Sequence, residues 1–233
     1  VARDMQLGAR GNSGVILAEY VRGLALASTD WQQAIAAGAQ TAQEAVVVPR
    51  EGTMLTVAQW AAAVPHDDDF ADYVRAVSMA GRDCVMRTTE MMPELKAAGV
   101  VDSGAVVLSL LLDAVASEVN DEPMPPLAID HLACDVSAIN YQGPAFEVMY
   151  TFESDRYSCD SLREELAVIG DSVTVTGAAS PYRVHVHVDQ PAEAVAEGLR
   201  HGRVRDIDIT PLVTRAHSGA PRELVGVGVV LAS

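Results

Sequence analysis

Basic residues are scarce in this 233-residue sequence: 16 Lys and Arg stand against 32 Asp and Glu, a formal charge of −16. Nucleic acid is thereby excluded as a partner, because a polyanion is held by clustered Lys and Arg, and neither half of the chain has a basic surplus. Long apolar runs are missing too. The longest, residues 105–116, is broken by Ser109 and Asp113 and falls short of the roughly 20 residues of a membrane helix, so no membrane span is expected. Cys84, Cys134 and Cys159 lie too far apart for a paired framework or a Cys-x-x-Cys metal motif. No leader-type segment opens the sequence, and a reducing cytoplasm is the expected compartment.

What is present is a folding composition, 49% apolar and 21% charged, in a length that allows one or two cores. Up to about Val119 the pattern is helical. Ile16, Tyr20 and Leu24 with Leu17 and Val21 form one stripe, and Ile35, Ala39, Ala42 and Val46 form another, opened by Ser28, Thr29 and Asp30. Further helices are expected over 53–64, 70–90 and 103–119, with Asp67, Asp68 and Asp69 at the positive end of the long one. An all-α domain over residues 1–119 follows, then a Pro-rich linker over 120–143, where prolines 123, 125 and 126 forbid helix. Beyond it the period changes to two. Strands are expected over 145–153, 172–176, 183–188, 204–209 and 224–231, with helices over 161–169 and 192–201. This order predicts a split βαβ, ferredoxin-like α/β domain over residues 144–233.

Three glycine loops punctuate the first half: Gly8-Ala-Arg-Gly-Asn-Ser-Gly14, Arg50-Glu-Gly-Thr-Met-Leu-Thr56 and Gly99-Val-Val-Asp-Ser-Gly-Ala105. A glycine-rich turn feeding a helix start exposes unpaired N–H groups at a positive dipole end and lets a phosphate approach the backbone. Each loop alone reads as a capped helix start. None is a Walker A loop, which needs Gly-Lys-Ser/Thr. In the second half stand Ile169-Gly-Asp-Ser-Val173, Val184-His-Val-His-Val188 and Glu197-Gly-Leu199 followed by Gly202.

In order and spacing these motifs resemble the nucleotide-binding (DhaL-like) domain of dihydroxyacetone kinase as it occurs in the ATP-binding subunit of bacterial fatty acid kinase. The resemblance runs over essentially the whole chain. It implies an antiparallel eight-helix barrel followed by the α/β middle domain, and transfer of the γ-phosphoryl of ATP to a fatty acid carboxylate. A separate fatty-acid-binding carrier protein presents that acceptor. ATP is implied at Gly11, Asn12, Ser13 and Gly14, with Thr53, Met54, Asp102 and Gly104 lining the same pocket, in a homodimer. Mg²⁺ is implied on an Asp-rich loop upstream of the first glycine loop, where this sequence has only Asp4. The chain opens without Met and already in a helical pattern, so a further piece is expected before Val1 and a carrier-docking domain after Ser233, and this stretch alone is expected to be inactive. A dihydroxyacetone-kinase-like enzyme acting on a small hydroxylated acceptor, and a non-catalytic nucleotide-binding scaffold or sensor, are the alternatives.

The period of two places His185 and His187 on one strand face, a geometry suited to Zn²⁺. The resemblance adds a cysteine from a neighbouring strand, and Met149 stands at the position aligned with it. A thioether is a poor zinc ligand. The domain is therefore expected to fold without stoichiometric zinc unless Glu147 or His217 completes the set.

Overall fold

Short acceptor side chains open four helices of the first half. A computed structural model describes residues 2–27, 30–126 and 143–212. Its first region holds α1 (Ala2–Gly8), α2 (Gly11–Leu26), α3 (Trp31–Ala45), α4 (Met54–Ala62), α5 (Phe70–Met91), α6 (Pro93–Ala98) and α7 (Ser103–Asn120). Asp30 accepts from the Gln32 and Gln33 amides, Thr53 from Leu55, Asp69 from Ala71 and Asp72, and Asp102 from Ala105. Each satisfies an N–H that the helix itself leaves unpaired. Tyr20, Ile35, Leu55, Val57, Val77, Val85 and Leu108 form the core that these helices enclose. The helices over 53–64, 70–90 and 103–119 stand within a residue or two of expectation, whereas α6 has no counterpart among the expected elements. It is six residues long, opened by Pro93 and closed by Gly99 at φ 65°, too short to display a full apolar period.

Helices α2 and α3 come together through glycine. A methyl group on Gly23 would run into the Thr41 hydroxyl, the Ala37 carbonyl and the Gly38 Cα, and one on Gly38 would lie 3.0 Å from Tyr20. By length and composition α7 passes for a membrane span, alone among the described helices. Its polar residues say otherwise: Asp113 is fully buried, receives Ser78 Oγ at 2.6 Å and pairs with Arg82 at 2.8 Å. Packed on α4 and α5, α7 is a core helix.

The second region contains β1 (Phe146–Glu153), α8 (Arg156–Ile169), β2 (Asp171–Thr176), β3 (Tyr182–Val188), α9 (Pro191–His201) and β4 (Arg203–Pro211). The four strands are antiparallel in the order β2-β3-β1-β4, the split βαβ arrangement. One face is apolar: Val148, Tyr150, Phe152, Val184 and Val186 lie beneath Leu162 and Leu166 of α8 and Ala194 of α9. The other carries Glu147, Met149, Thr151, Arg183, His185 and His187 and is turned toward the helical region, where Met149 packs with Ala9, Val15 and Ala18. Period-two alternation thus gives β3 an apolar face and a polar face, both buried. Backbone joins the two regions: Val46 bridges to Thr174, and the Val47 amide donates to the Val173 carbonyl at 3.3 Å. The strand expected over 224–231, Cys134, His217, Ser28, Thr29 and linker residues 127–142 lie outside the described residues.

Candidate functional site

Three helix starts converge on one cleft of about 400 Å³. Asn12 and Ser13 come from the first turn of α2, Thr53 and Met54 from the start of α4, and Asp102 from the cap of α7. Gly170, Asp171, Ser172 and Val173, where α8 gives way to β2, supply the facing wall. Of the eight residues implied for ATP, these five line the cleft and three do not. Gly11, at φ 64°, turns the chain so that its amide donates to the Met149 sulfur at 3.3 Å. Gly14 packs against Ala9, and Gly104 sits behind the lining, where an added methyl would lie 3.0 Å from Ser13 Oγ and 3.2 Å from Asp102 Oδ1. These glycines shape the wall and do not form it.

Two polar groups at the cleft are electrostatically unusual. Asn12 Oδ1 is buried with no hydrogen-bond partner. Burial pushes the Asp102 carboxyl up from 3.8 to about 6, against the pull of the Ala105, Met54 and Gly104 amides. Desolvation of the charged form outweighs three donors that favour it.

Beneath Gly11 lies a second cluster. In the β1–β3 register Glu147 is opposite His187 and Met149 opposite His185. His185 Nδ1 lies 2.9 Å from the Ser172 carbonyl and therefore carries its hydrogen, while Nε2 lies 3.0 Å from Glu147 Oε2. A lone pair facing a carboxylate oxygen is repulsive unless a proton or a metal ion lies between them. His187 Nε2 is 3.8 Å from the same oxygen, and neither of its ring nitrogens has a hydrogen-bond partner. The two imidazoles hold the Glu147 carboxyl down at about 2.

Two imidazole nitrogens and a carboxylate oxygen within 4.8 Å of one another are a donor set that fits zinc. The carbonyl behind His185 is the usual outer partner of a ligating histidine. The third donor is Glu147, whereas the Met149 sulfur is taken by the Gly11 amide. With a carboxylate in place, the ground for expecting no metal is removed. Sequence reasoning names Glu147 only as one of two residues able to complete the set, because the pairing register decides which β1 side chain meets His187. A further group, Glu165, Glu197 and His201, lies half-buried between α8 and α9, where Glu165 accepts from His201 at 2.9 Å and Arg200 pairs with both carboxylates. Cys84 and Cys159 are buried with thiols pushed up by burial, which makes neither a nucleophile.

A helical region that presents three helix starts to one cleft, those of α4 and α7 capped by Thr53 and Asp102, is joined to a split βαβ domain. The family model described as DAK2 domain matches residues 1–117, and the one described as the FakA-like middle domain, of the fatty acid kinase type, matches residues 143–218. The chain belongs to the DAK2 domain family. It is 29% identical over 238 residues to Protein YloV of Bacillus subtilis, covering 90% of this chain and 43% of that protein. An uncharacterized protein of Staphylococcus saprophyticus is 29% identical over 230 residues, covering 87% of this chain and 42% of its own length. The chain thus spans less than half the length of these curated relatives.

Proposed function

We propose that this chain is the nucleotide-binding and middle part of an ATP-dependent phosphotransferase that acts on a fatty acid carboxylate presented by a separate lipid-binding carrier. One observation carries the reading: Asn12, Ser13, Thr53, Met54 and Asp102, far apart in sequence and implied for ATP by resemblance, line a single cleft. The starts of α2, α4 and α7 aim partial positive charge of about half a unit each at that cleft, which suits an anionic phosphate chain. Phosphoryl transfer then depends on holding donor and acceptor in line and on neutralising the phosphate oxygens. A divalent cation bound with the nucleotide would supply most of that neutralisation. Asn12 and Ser13 orient phosphate at the α2 start, and Asp102 fixes α7 against Met54 and Gly104 so that the three helix ends keep their alignment. Glu147, His185 and His187 would hold a zinc-class ion, whose contribution is to tie β1 to β3 beneath the glycine loop.

Calorimetry with Mg-ATP tests the cleft. Ser13→Leu and Gly14→Val should each weaken binding at least about tenfold, since the first intrudes on the approach to the α2 start and the second presses on Ala9 in the turn that shapes it. Unchanged affinity in both variants would remove the nucleotide assignment. Acyl-phosphate formation by the corresponding full-length protein, supplied with fatty acid and carrier, tests the acceptor. Nucleotide binding without such turnover points instead to the scaffold or sensor.

A further inference from the structure

Thr151 has an arginine on either side of it. In the sheet register it is paired with Arg183 on β3 and with Arg205 on β4. Cross-strand partners share a face at about 5 Å spacing, so guanidinium, hydroxyl and guanidinium form a row. This row lines a cleft of about 580 Å³, together with Arg10 from the turn before α2. Glu153, Asp206 and Asp208 also line it and balance the three arginines, so in a protein of net charge −16 this cleft is not acidic.

Their charges are not equivalent. Arg10 is paired with Asp208 at 2.9 Å and Arg205 with Glu153 at 3.0 Å. Arg183 is 6% exposed and forms no ion pair among the described residues. Its Nε is buried without a partner, and its one side-chain contact of hydrogen-bond type is the Met149 sulfur at 4.0 Å. A guanidinium withdrawn from water without a counter-ion is costly to the fold, so a residue of this kind is better explained by a ligand than by stability.

We propose that this cleft is an oxyanion site, in which the planar fork of Arg183 binds a carboxylate or phosphate group in two-point fashion and the Thr151 hydroxyl donates a third hydrogen bond. Arg10 and Arg205 form its rim. Asp206 also lines the cleft and favours a singly charged oxyanion over a doubly charged one. The site is separate from the nucleotide cleft: Arg10 lines one and Asn12 and Ser13 the other, with Gly11 between them. It does not rest on the nucleotide reading.

The test is calorimetry in low-salt buffer without nucleotide, titrating the chain with inorganic phosphate in one arm and octanoate in the other. Binding in either arm that Arg183→Met weakens roughly 10- to 100-fold supports the site, because a charge-assisted two-point contact is lost. The arm that responds identifies the source of the oxyanion. Arg183→Lys, which keeps the charge without the fork, should fall between the two. Arg183→Met should melt no lower than the parent chain, since an uncompensated buried charge is removed. No binding in either arm, or binding that survives Arg183→Met, overturns the proposal. If that variant does not fold, Thr151→Val carries the same test, with a several-fold loss expected and unchanged affinity overturning it.

Discussion

Glu147 and His187 face each other across the β1–β3 pair, with the carboxylate oxygen 3.8 Å from His187 Nε2 and 3.0 Å from His185 Nε2. Three donors from two strands thereby meet at one point under the first glycine loop. Elemental analysis of protein purified without chelators should find one zinc per chain. Glu147→Ala and the double change of His185 and His187 to Ala should lose it, and Met149→Leu should keep it. Metal-free parent protein would show that the three groups share a proton instead, and zinc retained in Glu147→Ala would show that Glu147 is not a ligand.

Asp102 makes the fold sensitive to pH in an unusual direction. Its carboxyl is raised from 3.8 to about 6, so between those values the folded protein holds a proton that the unfolded chain has released. Stability from this group therefore falls as pH rises across that window and stays low above it, by about 2–3 kcal/mol. Asp102→Asn keeps a capping oxygen and should flatten the dependence and raise stability near pH 7 in urea melts.

The Arg82–Asp113 pair should behave as a buried ion pair. Asp113→Ala leaves Ser78 and a largely buried Arg82 without their acceptor and should cost about 3–5 kcal/mol in urea unfolding. Replacing both charged residues together, Arg82→Met with Asp113→Leu, should cost much less. A double variant as unstable as the single one would place the energy in shape and not in charge.

At the α2–α3 crossing, Gly23→Ala forces a methyl against Ala37 and Gly38. Destabilisation of about 1–3 kcal/mol is expected, with the melting temperature as the readout. Gly99→Ala, which has open space around it but a φ of 65°, should lose only the smaller cost of a left-handed residue.

Helix starts are legible in the sequence because their signal is local. Asp69 and Asp102 announce α5 and α7 through a side chain that caps its own helix, and Thr53 does the same for α4. The convergence of those starts on one cleft is available only through resemblance, since no spacing rule brings residues 13, 53 and 102 together. The metal-type cluster is half legible. Alternation places His185 and His187 on one face, but Glu147 and Met149 also share a face, and register alone decides which of them His187 meets. Arg183 gives no signal at all, because its burial depends on the helical region covering that side of the sheet. In the sequence Asp113 is only a break in an apolar run, and its real role depends on Arg82 from another helix.

The bridge from Val46 and Val47 to β2 also settles how the sheet ends. A strand at the rim of a sheet is a template for unwanted pairing with another chain. On the β2 side that template is occupied in part by the α3–α4 connection, which docks its own backbone there. On the β4 side the described residues guard it differently: Arg203, Arg205, Asp206 and Asp208 put both signs of charge along the strand, and Pro211 ends it with a residue that has no amide to offer. An incoming strand would have to bury charge at one rim or displace the α3–α4 connection at the other, so the same seam that walls the cleft also protects the protein against edge-to-edge aggregation.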